Sequence, residues 1–146
     1  MTEYKRVFLD TTPLIYLLDS NEIYGEKVRE ILETLLNNNV QTVTSTITVA
    51  EYLVYPYRSD NEEKIDAFED FLNECDITVY PVNYDIAKKA AQIRAMYDHF
   101  KAMDSLQLAV ACVHDCHLFI TNDKQLRQFK EIKCITLDEW ENDEEG

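Results

Sequence analysis

The sequence predicts a three-layer α/β/α domain with a central parallel sheet of four or five strands. Three observations lead there. Short apolar runs that read as strands alternate with longer amphipathic segments that read as helices. Several of those runs lack polar alternation, as strands covered on both faces require. No linker, repeat or low-complexity segment interrupts the pattern, and 146 residues suffice for an ordinary core without metal or disulfide staples. Residues 1–146 are therefore expected to form one domain, with an acidic tail from about 138.

Each element has its own signal. "KRVFL" reads as a buried strand closed by Asp10, and "TTPLIYLL" as a helix with a threonine cap and Pro13 at the first helical position. Val28, Ile31, Leu32, Leu35 and Leu36 fall at helical spacing, and "NNN" (37–39) ends that helix. "VQTVTST" (40–46) is β-branched and predicts a second strand; "TVAEYLVY" (48–55) predicts a helix capped by Thr48 and stopped by Pro56. A helix from about Asn61 to Asn73 places Ile65, Phe68 and Leu72 on one face. "ITVYPV" follows as a third strand and "NYDIAKKAAQIRAMYDHF" as an amphipathic helix. "MDSLQLAVACVHD" (103–115) is apolar nearly all round and belongs in the interior. "HLFITND" reads as a strand ending in acid, "KQLRQF" as a short helix and "KCITL" as a fifth strand.

Absences narrow the chemistry. The only glycines are Gly25 and Gly146, so neither a Walker phosphate loop nor a GxGxxG turn can exist. There is no GxSxG elbow, and His99, His114 and His117 have no nucleophile placed by a motif. Cys112, His114, Cys116 and His117 invite a zinc reading, but in a helix only Cys112 and Cys116 share a face, and no second ligand pair stands elsewhere. With Cys75 and Cys134 they are expected to be reduced thiols. No apolar stretch is long enough to span a membrane or serve as a signal peptide, so a cytoplasmic location is expected. The net charge of −14 means that a polyanionic substrate would need cations as mediators.

Four acids stand apart from those on polar helix faces. Asp10 ends the first strand, Glu51 falls on the first turn of a helix, Asp104 opens the most apolar helix, and Asp123 ends the "LFIT" strand. In a parallel sheet the strand C-termini share one edge, so these distant residues can converge in the crevice there. Any one of them fits a helix cap or the partner of a buried cation equally well. Together they favour a metal site, and oxygen donors without thiols suit Mg²⁺ or Mn²⁺.

"FLDTTPLIY", "TITVAEYL", "AMDSLQLAVA" and "FITNDKQL" resemble, in order and separation, the four acidic motifs of PIN-domain ribonucleases. The small single-domain length is most similar to VapC-type toxins of toxin–antitoxin pairs. The resemblance implies a PIN-like fold and a metal-dependent endoribonuclease. In it Asp10, Glu51, Asp104 and Asp123 surround a divalent ion, and Thr121 supplies a hydroxyl two residues before the last acid. It further implies single-stranded or loop RNA as substrate, 5′-phosphate and 3′-hydroxyl products, a homodimer and a small antitoxin partner.

One departure stands out: Thr12 occupies the position where the first motif usually carries asparagine. Arg94, His99, Lys101, Lys124 and Arg127 lie around the last two motifs and could hold an RNA backbone, although a solvated helix surface describes them too. Tyr52, Tyr55 and Tyr57 could stack on bases, pack in the core or meet a second copy. A haloacid-dehalogenase phosphatase would need an acid at position 12 and is disfavoured. The remaining alternative is a degenerate PIN domain acting as a non-catalytic interaction module.

Overall fold

The computed structural model describes residues 4–140. Its strands are β1 (Arg6–Leu9), β2 (Gln41–Ser45), β3 (Ile77–Tyr80), β4 (Leu118–Thr121) and β5 (Lys133–Thr136), and all neighbouring pairs run parallel in the order β3-β2-β1-β4-β5. The helices are α1 (Thr11–Leu18), α2 (Gly25–Asn37), α3 (Thr46–Tyr52), α4 (Val54–Arg58), α5 (Glu62–Glu74), α6 (Tyr84–Met96) and α7 (Ala102–Val113). A 3-10 turn spans Lys124–Gln128 and another Leu137–Glu139. This is the expected three-layer α/β/α arrangement with a five-stranded parallel sheet.

The uninterrupted apolar runs of β1 and β4 are explained by two cores. Val7, Leu9, Leu118 and Ile120 face α1 and α2 and pack with Leu14, Val28, Ile31 and Leu35. Phe8 and Phe119 face the other way and pack with Ile86, Ile93, Leu108 and Val110 of α6 and α7. The two phenyl rings stack across the strands, 5.0 Å between centroids. Because side chains alternate between faces, burial on both faces removes any polar alternation.

Helix boundaries depart from the sequence reading in instructive ways. Asp10, not a threonine, is the N-cap of α1: its carboxylate accepts from the Thr11 N–H at 2.9 Å. Ser45 rather than Thr48 caps α3, accepting from the Ile47 N–H at 3.0 Å, so Thr48 lies inside that helix and Glu51 falls on its last turn instead of its first. Pro56 does not break the chain either. It is the third residue of α4, within the first turn, where a missing N–H costs nothing.

With glycine so scarce, the left-handed residues that follow α2, α5 and α7 are Asn39, Asp76 and Asp115, the residue types that best tolerate positive φ after glycine. At the start of α6, Asn83 accepts from the Ile86 N–H at 2.9 Å. Asn83→Ala is expected to cost about 1 kcal/mol of stability, read as a lower urea midpoint with an unchanged slope.

The expected acidic tail also needs revision at its beginning. Asp138 and Glu139 sit in the second 3-10 turn, where Glu139 accepts from the Thr136 N–H at 2.8 Å and pairs with Arg127 at 2.8 Å. The rest of that tail, 141–146, lies outside the described residues.

Candidate active site

The strand order places β1 at the centre, with β2 on one side and β4 on the other, so the chain changes direction across the sheet between β1 and β4. At such a switch point the loops leaving the two strands splay apart and open a crevice at their C-terminal ends. Leu9 pairs with Ile120, and the Asp10 N–H donates to the Ile120 carbonyl at 2.9 Å, so Asp10 and the end of β4 meet at this edge.

A cavity of about 520 Å³ opens there, lined by Asp10, Glu51, Asp104 and Asp123 together with Thr12, Thr121 and Lys101; Tyr16, Ala102, Met103 and Asn122 complete its wall. All four acids singled out in the sequence thus reach one cavity, and so do Thr121 and Thr12. Each acid arrives on a different element: the β1–α1 junction, the last turn of α3, the first turn of α7, and the loop after β4.

The hydrogen bonds show how the carboxylates are held. Asp10 accepts from the Thr11 N–H on one oxygen and from the Thr121 hydroxyl, at 2.8 Å, on the other. The Asp123 N–H donates back to the Thr121 oxygen at 3.1 Å, which leaves the threonine proton for Asp10. The Glu51 carboxylate accepts from the Thr11 hydroxyl at 2.6 Å. Asp123 caps the following 3-10 turn by accepting from the Gln125 N–H.

Electrostatically the cavity is under strain from like charges. Burial raises the Asp10 carboxyl to about 6; the Thr121 and Thr11 hydrogen bonds oppose this rise, and the charges of Asp104 and Glu51 add to it. Asp104 is also raised, first by burial and then by Asp123, with Lys101 opposing and Glu51 adding. Among the described residues Lys101 is the one basic side chain lining the cavity.

Oxygen donors that repel one another in a crevice suit a hard divalent cation, which would relieve the repulsion. As the side chains stand, no three carboxylate, imidazole or thiol groups among the described residues converge tightly enough to enclose an ion. Mg²⁺ does not need such a cage: it keeps several waters and takes one or two carboxylates directly. The donor set therefore fits a hydrated Mg²⁺ or Mn²⁺.

Other residues flagged in the sequence lie elsewhere. Arg94, His99, Lys124 and Arg127 are exposed and do not line the cavity, and Arg127 is engaged by Glu139. Tyr52 is buried and stacks on Phe68, whereas Tyr55 and Tyr57 are exposed. The His114 ring stacks on Tyr80, and His117 Nδ1 faces the Lys5 and Arg6 N–H groups. Burial pushes the thiols of Cys112 up to about 11 and of Cys116 and Cys134 up to about 12, so they stand protonated at neutral pH.

A family model of the PIN domain matches residues 7–132. The chain belongs to the PIN-domain family. Among solved structures, this PIN domain is similar to VapBC2 from Rickettsia felis, bound to a DNA fragment from its promoter, with TM-score 0.75 and 15% identity over 90% of this chain and 98% of that one. It is similar to VapBC-1 from nontypeable Haemophilus influenzae, with TM-score 0.74 and 22% identity over 92% and 99%. It also resembles VapC20 from Mycobacterium tuberculosis, a sarcin–ricin-loop-cleaving toxin, with TM-score 0.65 and 16% identity over 87% and 98%. At these identities the likeness is one of fold. No curated protein matches the chain.

Beneath the cavity lies a polar network that the sequence reading missed. Gln107 of α7, 1% exposed, accepts from the Ser45 hydroxyl through Oε1. Its Nε2 stands 2.9 Å from Thr48 Oγ1, 3.1 Å from Thr11 Oγ1 and 3.4 Å from Asp10 Oδ1. The signal was present: Gln107 is an amide in the middle of the apolar run "LQLAVA".

Proposed function

We propose that this PIN domain is a divalent-metal-dependent endoribonuclease and the toxin of a toxin–antitoxin pair. One observation carries the reading: four carboxylates from four separate elements line a single cavity at the switch point of a parallel sheet. When bound, Mg²⁺ or Mn²⁺ supplies charge neutralisation at the phosphoryl oxygens and an acidified water for in-line attack. Asp10, Asp104 and Asp123 hold the cation directly or through water. Glu51, fixed by the Thr11 hydroxyl, holds a second cation or orients the attacking water. Thr121 keeps the Asp10 carboxylate in place, and Thr12 stands at the cavity wall where it can hydrogen-bond a water. The RNA, single-stranded or a loop, is cut to leave a 5′-phosphate and a 3′-hydroxyl, and the loop cleaved by the M. tuberculosis neighbour supports a loop substrate.

Lys101 serves as the backbone contact at the rim. Lys101→Ala is expected to raise KM for an RNA oligomer about two- to fivefold, the scale of one exposed ion pair, with kcat nearly unchanged. Steady-state kinetics at two salt concentrations measures both.

The partner surface we propose is a groove of about 580 Å³ formed by α1, α2 and α5. Leu17, Leu18, Leu32, Leu36 and Phe71 line it, with Glu22, Glu33 and Glu26, the last paired with Arg29 of the same groove at 2.9 Å. That lining suits an antitoxin segment carrying apolar and basic side chains. Helix α1 contributes to both sites, Thr12 and Tyr16 to the cavity and Leu17 and Leu18 to the groove, so a segment lying in the groove can reach the carboxylates. Exposed Val54, Tyr55 and Tyr57 of α4 offer an apolar face for a homodimer. Among the described residues no helix is long and apolar enough to cross a membrane.

Two features favour a second reading, a non-catalytic interaction module: Thr12 at the asparagine position, and carboxylates that do not close on an ion. Incubation with structured and unstructured RNA in Mg²⁺, Mn²⁺ or EDTA separates the two. Cleavage with either ion and none in EDTA is expected. Cleavage indifferent to EDTA would remove the metal-dependent reading, and intact RNA in every condition would favour the interaction module.

A further inference from the structure

Gln107 is buried in the apolar part of α7, beyond Asp104 and Ser105 in the first turn of that helix. Burying an amide is unfavourable unless all its polar atoms are paired, so this one is expected to have a role that packing does not supply. The direction of each bond that Gln107 itself makes follows from which groups are able only to donate or only to accept.

The Ile47 N–H donates to Ser45 Oγ, so the Ser45 hydroxyl proton goes to Gln107 Oε1. That contact orients the amide, with its carbonyl toward the end of β2 and its NH₂ toward the cavity. Nε2 has two protons and faces Thr48 Oγ1 and Thr11 Oγ1, with Asp10 Oδ1 slightly farther away. An amide N–H cannot accept, so Thr11 receives a proton from Gln107 and sends its own to Glu51.

Resting on the nuclease reading above, we infer that Gln107 is a positioning residue of the candidate site: acting through Thr11, it fixes the separation and orientation of Asp10 and Glu51. One side chain on α7 links the β2–α3 junction to the β1–α1 junction, the two segments that carry Glu51 and Asp10. The positive end of the amide dipole lies 3.4 Å from Asp10 Oδ1, and Thr11 passes the link on to Glu51. This is the arrangement by which outer partners orient metal-binding groups, and its loss typically costs about 10- to 100-fold in metal affinity or activity.

The test uses the full chain and Mn²⁺ alone, without RNA. Calorimetric titration of wild type, Gln107→Leu and Gln107→Met is expected to show Mn²⁺ binding weakened about tenfold or more in both variants, each compared at temperatures where it is folded. Glu51→Gln combined with Gln107→Leu should weaken binding by less than the two single effects added together, because part of the Gln107 effect passes through Glu51. In ¹⁵N-labelled protein without metal, the Gln107 side-chain amide resonances should differ between wild type and Glu51→Gln, a readout that needs no Gln107 variant to fold.

Wild-type Mn²⁺ affinity in folded Gln107→Leu and Gln107→Met, or fully additive effects with Glu51→Gln, would overturn the positioning role and leave the nuclease reading standing. A wild type that binds no Mn²⁺ would overturn both.

Discussion

Asp104→Asn is expected to lower RNA cleavage by about 10³-fold or more, the scale on which single members of a catalytic set count. The residue lies in the first turn of α7, half-buried, and lines the cavity. Asparagine matches its shape, so the change removes charge and little else. It gives up a favourable position near a helix N-terminus, worth about 0.3–1 kcal/mol, but also the repulsion from Asp123 and Glu51 that helps raise the carboxyl. These two effects oppose one another, and the melting temperature should move little. Single-turnover cleavage of a labelled oligomer measures the rate. A variant that retains wild-type activity would remove Asp104 from the chemistry.

Asp10→Asn is expected to separate function from stability: cleavage is lost while the metal-free fold becomes more stable. The carboxyl of Asp10 stands at about 6 in the fold against 3.8 for an unperturbed aspartate, mainly through burial. A raised carboxyl binds its proton more tightly in the folded state than in the unfolded one. Its contribution is therefore most favourable below pH 4 and is lost as pH rises through about 6. At pH 7 the ionised group costs the fold about 1–3 kcal/mol by this reckoning. Asparagine keeps an oxygen for the Thr11 N–H; its amide reverses the bond to Thr121, whose proton loses its acceptor, a cost smaller than that of the buried charge.

Thermal melts in EDTA at pH 7 should place the variant several degrees above wild type, on a scale of about 2–4 °C per kcal/mol. The gap should close as pH falls toward 4, and added Mn²⁺ should raise the wild type alone. An Asp10→Asn protein less stable than wild type at pH 7 in EDTA would mean that the carboxylate is compensated within the fold and is not under strain.

How far the sequence carries these conclusions differs by feature. The β1 and β4 runs were readable because strands buried on both faces lose polar alternation, and Phe8 and Phe119 could then only be core. The acids were readable because each interrupts or ends an apolar segment. Helix starts were less legible, since "STIT" offers several hydroxyl groups within four residues. Only the backbone turn at Ser45 decides which of them caps α3, and that choice moves Glu51 from the first turn to the last. Pro56 illustrates the same limit, because its effect depends on where α4 begins.

Gln107 was hidden for a different reason. Its partners Ser45, Thr48 and Thr11 are 62, 59 and 96 residues away. An amide within a helical apolar run announces that something pairs with it, but not what. At Asp138 and Glu139 the acidic string looks solvated and both residues are exposed, but the sequence did not show that Glu139 is held by Thr136 and Arg127.

The central claim is that Asp10, Glu51, Asp104 and Asp123 form a divalent-metal site, and Mn²⁺ titration of the metal-free protein followed by electron paramagnetic resonance tests it most directly. Saturable binding of one or two ions is predicted in wild type, sharply weakened in Asp104→Asn and in Asp123→Asn. Free Mn²⁺ signal throughout the wild-type titration, or equal binding in all three proteins, would contradict it.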